Sequence, residues 1–429
     1  MITIEELYSI FLQHPVVCTD TRKLSFGSLF FALKGDNFNG NKFAVQALQE
    51  GAAYAIIDEP QTADERILLV PDVLKAMQDL STFHRRKLGL PVLAITGSNG
   101  KTTTKELTAA VLNRKYATYF TAGNLNNHIG VPLTLLALNK SHELAVVEMG
   151  ANHQREIAAL CEIAEPDFGL ITNIGKAHLE GFGGVEGVKK GKGELYACIR
   201  ERNGLIFIHQ DDEVLMEVLK AYSPTVSYGS SSACEYQGRA LMKGEFLSVE
   251  ITVPFQVTID TQLTGDYNFA NVMAAVAIGG HLNVPAAEIK AGIENYAPGN
   301  QRSQVIRKGN VSIVMDAYNA NPSSMMAALH NFDTAFSGSK IVALGEMREL
   351  GEEGPEEHAR IAEIAKNMQD AALIFVGPCF EKYAETAGAH YFPDSTAAMT
   401  WLKSHLPQEC TLLIKGSRGS KMEKLLEAF

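Results

Sequence analysis

The feature that most constrains this chain is a rhythm. "PVLAITG", "LAVVEMG", "FGLITNIG" and "GLIFIHQ" are unbroken apolar runs, each ending in glycine or a polar residue and each followed by a helical pattern. A strand that is apolar on both faces must be covered on both, which is the condition of a parallel sheet in an α/β domain. The pattern predicts a central, doubly wound, mostly parallel sheet. The same rhythm restarts in "VSIVMDAY", "KIVALGEM", "AALIFVG" and "CTLLIKGS", predicting a C-terminal Rossmann-like domain. Between the two, residues 234–263 alternate apolar and polar ("EFLSVEITVPFQVTID"), as antiparallel strands at a sheet edge do. The first residues mix short apolar runs ("SLFFAL", "AYAIID", "ILLV") with helical patterns such as "KFAVQALQEG", where Gly51 is a helix stop, predicting a small α/β domain. At about 100 to 200 residues per domain, 429 residues suggest three domains, expected at 1–85, 86–300 and 301–429.

Composition narrows the partners. A formal charge of -11 argues against broad attachment to nucleic acid or an anionic membrane, so an anionic substrate needs a local basic pocket. "MITIEELYSI" carries two glutamates where a secretory signal would place Lys or Arg. "NVMAAVAIGGHLNVPAA" is interrupted by His281, Asn283 and Pro285, unlike a membrane span. Six scattered cysteines without a C-x-x-C pair read as free thiols, and twelve histidines without H-E-x-x-H give a zinc hydrolase no support. The expected protein is a soluble cytoplasmic monomer.

"AITGSNGKTTTKE" carries the first chemistry. A P-loop usually has four residues between its glycines, whereas only Ser98 and Asn99 separate Gly97 from Gly100. The turn still joins a buried-strand pattern to a helical one, so backbone amides at Gly97, Ser98, Asn99, Gly100 and Thr103 and the positive helix end would face an anion. Lys101 would neutralise β and γ phosphates, and the Thr102 hydroxyl would coordinate Mg²⁺. The plain alternative is a glycine-rich turn that binds nothing. Glu148 ends the run "LAVVEMGAN", where the sheet's carboxyl edge collects ligands; a solvated strand end is the other reading. His178, in "LITNIGKAHLEGFG", stands just past the next strand as a third metal ligand or a structural histidine.

The compact G-x-x-G-K-T-T loop, with Glu148 and the "NIGKAH" histidine at the following strand ends, resembles the ATP-dependent Mur ligase family. "TDTRKLSFGSLFFALKGDNFNG", "TAGNLNNHIGVPLTLL", "VVEMGANHQREIAAL", "DAYNANPSSMMAAL", "LGEMRELG" and "KGSRGSKME" extend the resemblance over almost the whole chain. It implies an ATP-dependent amide-bond ligase working through an acyl phosphate, with ATP and Mg²⁺ as cofactors. The implied substrates are UDP-N-acetylmuramoyl-tripeptide and D-alanyl-D-alanine, precursors of peptidoglycan. Lys101, Lys192 and His178 are the catalytic residues this resemblance implies. Lys192, in "GVKKGKGELY", stands where family members bear a carbamylated lysine that binds metal, while Lys189 and Lys190 read as a solvated face.

For the nucleotide, the resemblance implies Asn268, in "GDYNFANVMAAVA", with Tyr267 where the family commonly has histidine. Arg302 and the "DAYNANP" residues Asp316, Tyr318, Asn319 and Asn321 would close over ATP from the third domain. For the other substrates it implies Thr21 and Arg22 as a grip on uridine diphosphate, and Asn126 and Asn127 beside them. Lys415, Ser417 and Arg418 would hold the dipeptide carboxylate, with surface ion pairing as the other reading. Glu346 replaces a family Asp and is given no catalytic role. A sibling ligase adding the third amino acid, a folate polyglutamating ligase and an ATP-driven switch stay open as alternatives.

Overall fold

The structure, a computed structural model, describes residues 2–61, 64–299 and 301–429. Its centre is a nine-stranded sheet in the order Val257–Asp260, Phe246–Val253, Tyr236–Lys243, Thr225–Gly229, Leu205–His209, Phe168–Ile171, Val92–Thr96, Leu144–Glu148, Thr118–Phe120. The alternating segment forms the antiparallel edge, and the continuous apolar runs form the parallel part. Every residue of Val92–Thr96 and Leu144–Glu148 is buried. The reason is that both faces are covered: Leu93 and Ile95 meet one apolar cluster, with residues of helices Lys101–Leu112 and Phe269–His281, while Val92 and Ala94 meet the other, with residues of Glu156–Ala164 and Val185–Glu201. The apolar stretch around Val276 is therefore core helix. No helix among the described residues is long and apolar enough to cross a membrane.

Val92–Thr96 lies between Phe168–Ile171 and Leu144–Glu148, so the chain turns opposite ways on its two sides. That opens a crevice at the strand's carboxyl end, the place where open α/β sheets bind ligands.

The six strands of the C-terminal region run Gln304–Lys308, Val311–Asp316, Cys410–Lys415, Lys340–Gly345, Ala371–Val376, His390–Phe392, all parallel except the first pair. The last strand in sequence inserts between Val311–Asp316 and Lys340–Gly345, an order different from that of a dinucleotide-binding Rossmann sheet. It sets Asp316 opposite Lys415. The N-terminal sheet has four parallel strands, Val17–Cys18, Leu29–Phe31, Tyr54–Ile57 and Ile67–Leu69. From it, helix Val73–Leu88 runs to the central sheet and ends at Gly89, whose φ of +67° suits a residue without Cβ. Arg85 on that helix donates to the Ala164 and Glu165 carbonyls and pairs with Asp167. All six cysteines are free.

Candidate active site

The shortened turn is held by the next strand's extension. Ser98 N donates to Asn173 O at 2.9 Å, Asn99 N to Asn173 Oδ1 at 3.0 Å, and Thr172 Oγ1 to Asn99 O at 2.5 Å. Gly175 N donates to Ser98 Oγ at 2.9 Å. These bonds supply the support that a longer loop would give itself. Helix Lys101–Leu112 starts from Gly100, which has no side chain to cover the first-turn amides, so those donors and the positive helix end are left for an anion.

Two contacts make the glycines obligatory. A Cβ on Gly97 would stand 2.0 Å from Thr172 Oγ1, and one on Gly100, at φ +78°, would stand 2.5 Å from Asn271 Oδ1. That amide cannot swing aside freely, since it accepts from Thr104 Oγ1 and its nitrogen donates to Asn268. Gly100→Ala is therefore expected to cost roughly 2 kcal/mol of stability and to abolish nucleotide binding. Thermal melts and calorimetry with ATP check both, and unchanged ATP affinity would show that the turn needs no glycine there.

Lys101 folds over this turn, donating to the carbonyls of Gly97 at 2.7 Å and Ser98 at 3.1 Å. Burial holds its ammonium down at about 8, against the upward pull of Glu148, with Arg302 adding to the depression. An arriving polyphosphate meets a lysine short of negative partners. Behind it, Thr102 Oγ1 donates to Glu148 Oε2 at 2.9 Å, and Asn126 Nδ2 to Glu148 Oε1 at 2.8 Å. Glu148 is 1% exposed. Among the described residues no three His, Cys, Asp or Glu side chains gather as a metal site. A hydroxyl and a carboxylate beside a phosphate turn are nevertheless the hard oxygen donors that Mg²⁺ takes while keeping phosphate or water in its other positions.

Lys192 is buried at 1% exposure, with Nζ donating to Ala151 O at 3.0 Å and lying 5.1 Å from the Phe182 ring centroid. Burial, helped by Lys101, pushes its amine well below the usual lysine range. By contrast Lys190 is exposed and Lys189 pairs with Glu217. His178, in the left-handed region at φ +53°, pairs through Nδ1 with Glu349 of the C-terminal region, which holds that carboxyl below its ordinary range. As it stands, the imidazole joins two domains.

One cavity of about 910 Å³ is lined by Ser98, Asn99, Gly100, Lys101, Thr103, Asn126, Asn127, Glu148, His178, Asn268, Arg302, Asp316, Tyr318, Asn319, Asn321 and Lys415. Sequence reasoning named these, but not other polar residues of the same wall, among them Asn152, Glu156, His209, Asp212 and Asn271. Asn268 is tied within it to Thr264 O and Asn271. From the far wall, Asn321 donates to Asn99 Oδ1 at 2.7 Å, Lys415 pairs with Asp316, and the Arg302 guanidinium lies 3.8 Å from the Tyr318 ring centroid. Arg418 lies 5.5 Å from that ring and lines an adjoining cavity of about 340 Å³ with Arg302 and Thr102.

Five predicted residues line neither cavity: Gly97, Lys192, Ser417, Thr21 and Arg22. Ser417 is buried against Ser420. Arg22 closes on Asp20 at 2.9 and 2.7 Å. Two local roles also went unforeseen: Asn126 holds Glu148, and Asn127 Oδ1 accepts the amides of Ile129 and Gly130. Lys105, Lys176, Glu349 and Glu357 were missed altogether. A charged residue in a helical pattern reads as solvated, and only the fold shows Lys105 and Glu357 to be buried.

Comparison with known proteins identifies the family. Residues 15–85 match a family model described as Mur ligase family, catalytic domain; residues 95–279 match the Mur ligase middle domain; residues 301–418 match the Mur ligase, glutamate ligase domain. UDP-N-acetylmuramoyl-tripeptide–D-alanyl-D-alanine ligase of Escherichia coli is 35% identical, over 99% of this chain and 95% of its own. The protein of the same name from Bacillus subtilis is 34% identical, over 96% and 92%. Among solved structures, MurF from Acinetobacter baumannii has a TM-score of 0.86 at 33% identity, covering 96% of this chain and 92% of that one. MurF ligase from Thermotoga maritima in complex with ADP has a TM-score of 0.85 at 27% identity, covering 96% of each chain. With the compact phosphate turn, the buried Thr102–Glu148 pair and whole-length similarity together, this chain belongs to the Mur ligase family.

Proposed function

We propose that the protein joins D-alanyl-D-alanine to UDP-N-acetylmuramoyl-tripeptide with ATP, through an acyl phosphate, in peptidoglycan precursor synthesis. Relatives of that printed name match over nearly the whole chain, and a structural neighbour is described with ADP. The observation that carries the reading is the single cavity in which Lys101 and Glu148 face Asn268, Arg302 and Asp316. Residues 1–85 are assigned the UDP substrate, 86–300 ATP, and 301–429 closure over both, in a cytoplasmic monomer.

A carboxylate does not acylate an amine in neutral water, because oxide or hydroxide would have to leave. The tripeptide carboxylate therefore attacks the γ-phosphorus of ATP, ADP leaves, and an acyl phosphate forms. The dipeptide's amine then attacks the carbonyl carbon, phosphate departs and a proton is lost. Lys101 and the turn amides hold the β and γ phosphates and stabilise charge on the transferring group. Thr102 and Glu148 would hold Mg²⁺, which supplies neutralising charge to the polyphosphate. Lys192, whose amine burial pushes well below the usual lysine range, can add CO₂, lose a proton and become an anion suited to a second cation, with His178 as a further ligand.

Asn268, Arg302, Asp316, Tyr318, Asn319 and Asn321 orient the nucleotide. Arg418 and Lys415 are assigned the dipeptide's carboxylate; the Lys415 ammonium is already shared with Asp316, and Ser417 would have to leave Ser420 to join them. Thr21 and Arg22 take the diphosphate, for which Arg22 must leave Asp20, while Asn126 and Asn127 border the tripeptide. Closing the cavity protects the acyl phosphate from water. The test is ADP release with UDP-tripeptide present, with and without D-alanyl-D-alanine, and the mass of the product. Turnover that ignores both would point to an ATP-driven switch.

A further inference from the structure

Lys105 takes no part in the mechanism above, yet it has no exposed surface. One helical turn beyond Lys101, its Nζ stands 3.6 Å from Glu148 Oε2 and 3.8 Å from Glu106 Oε1. It donates to Gly123 O at 3.4 Å and lies 5.8 Å from the Phe120 ring centroid. Glu106 also accepts from the Tyr296 hydroxyl at 2.7 Å.

Stripping water from an ammonium and a carboxylate costs about as much as their attraction returns, and apolar residues of the same volume often serve a core better. Stability alone is a weak reason for a charge at this position. Its nearest carboxylate oxygen is also the one that accepts the Thr102 hydroxyl. A divalent cation arriving at the Thr102–Glu148 pair must share Glu148 with an ammonium already in place, and like charges in a dry site repel strongly.

We infer that Lys105 is a positioning residue that fixes Glu148 and weakens its hold on a divalent cation, so that the cation is retained only together with a polyphosphate. Lys105 satisfies the buried carboxylate when the cation is away, and opposes the cation when it is present. The inference rests on the ATP and Mg²⁺ reading of this site.

The test is Mn²⁺ affinity, followed by electron paramagnetic resonance with ADP present and on nucleotide-free protein. Lys105→Met, which keeps length and removes charge, is expected to bind Mn²⁺ about tenfold more tightly than wild type, with the larger gain in the nucleotide-free protein. Lys105→Arg should stay near wild type. Should the Met variant not fold, Lys105→Gln, which keeps donors toward Gly123 and Glu106, carries the same expectation. Equal or weaker Mn²⁺ binding in a folded neutral variant overturns the role of Lys105 and leaves the nucleotide site standing. If both neutral variants unfold while the Arg variant folds, the charge serves the fold and the inference falls. If wild type and variants alike take up no Mn²⁺ with ADP, the site reading fails and the inference with it.

Discussion

Lys101→Ala is expected to lower kcat/KM for ATP about a thousandfold or more. The ammonium lies over the phosphate turn, half-buried in the wall of the cavity. Its partners in the free protein are two carbonyls of its own turn, which an anion would outbid. The same geometry gives a second readout. A lysine whose folded value, about 8, lies below its unfolded value costs the native state free energy at neutral pH, where both states hold the proton. That cost fades as pH rises from the folded value to the unfolded one. Alanine removes it, so the variant should melt no lower than wild type at pH 7 while losing ligation. Steady-state ADP release and a melting curve measure the two, and near-normal turnover would remove the nucleotide assignment.

Lys192→Ala is expected to lower kcat by roughly a hundredfold to a thousandfold, the range seen when a preorganised charge is removed from an active site. Removing a buried side chain can also harm packing, so rate loss alone does not decide the matter. The deciding measurement is rescue. Acetate or formate added to the variant should restore much of the rate, because a small carboxylate can occupy the vacated space and supply the missing anion. Wild-type enzyme depleted of CO₂ should slow in parallel. An undiminished rate in the variant would reject the carbamate, and a slow variant that no carboxylate rescues would reduce Lys192 to a packing role.

Most of the sheet was legible because parallel strands leave a blunt record: Val92–Thr96, Leu144–Glu148 and Cys410–Lys415 are apolar on both faces. Short strands such as Val17–Cys18 and His390–Phe392 are too brief for periodicity to register. The site was legible where chemistry clusters in sequence, as in the phosphate turn and "DAYNANP". It was illegible where partners meet only through topology. Asp316 and Lys415 lie opposite each other because a late strand inserts beside an early one. Lys105 shows the sharper limit. Its letter stands in a helix like any solvated lysine, and its burial follows from packing against Phe120 and Glu148, which pattern alone does not show.

The stretch at residues 172–178 has its own consequence. At one end it clasps the phosphate turn through Thr172 and Asn173; at the other, Lys176 and His178 meet Glu357 and Glu349 of the C-terminal region. Glu357 is 3% exposed, so parting it from Lys176 strands a charge in a dry seam until water enters. Any separation of the C-terminal region from this stretch therefore has a cost set by the ion pairs Lys176–Glu357 and His178–Glu349 and not by a ligand.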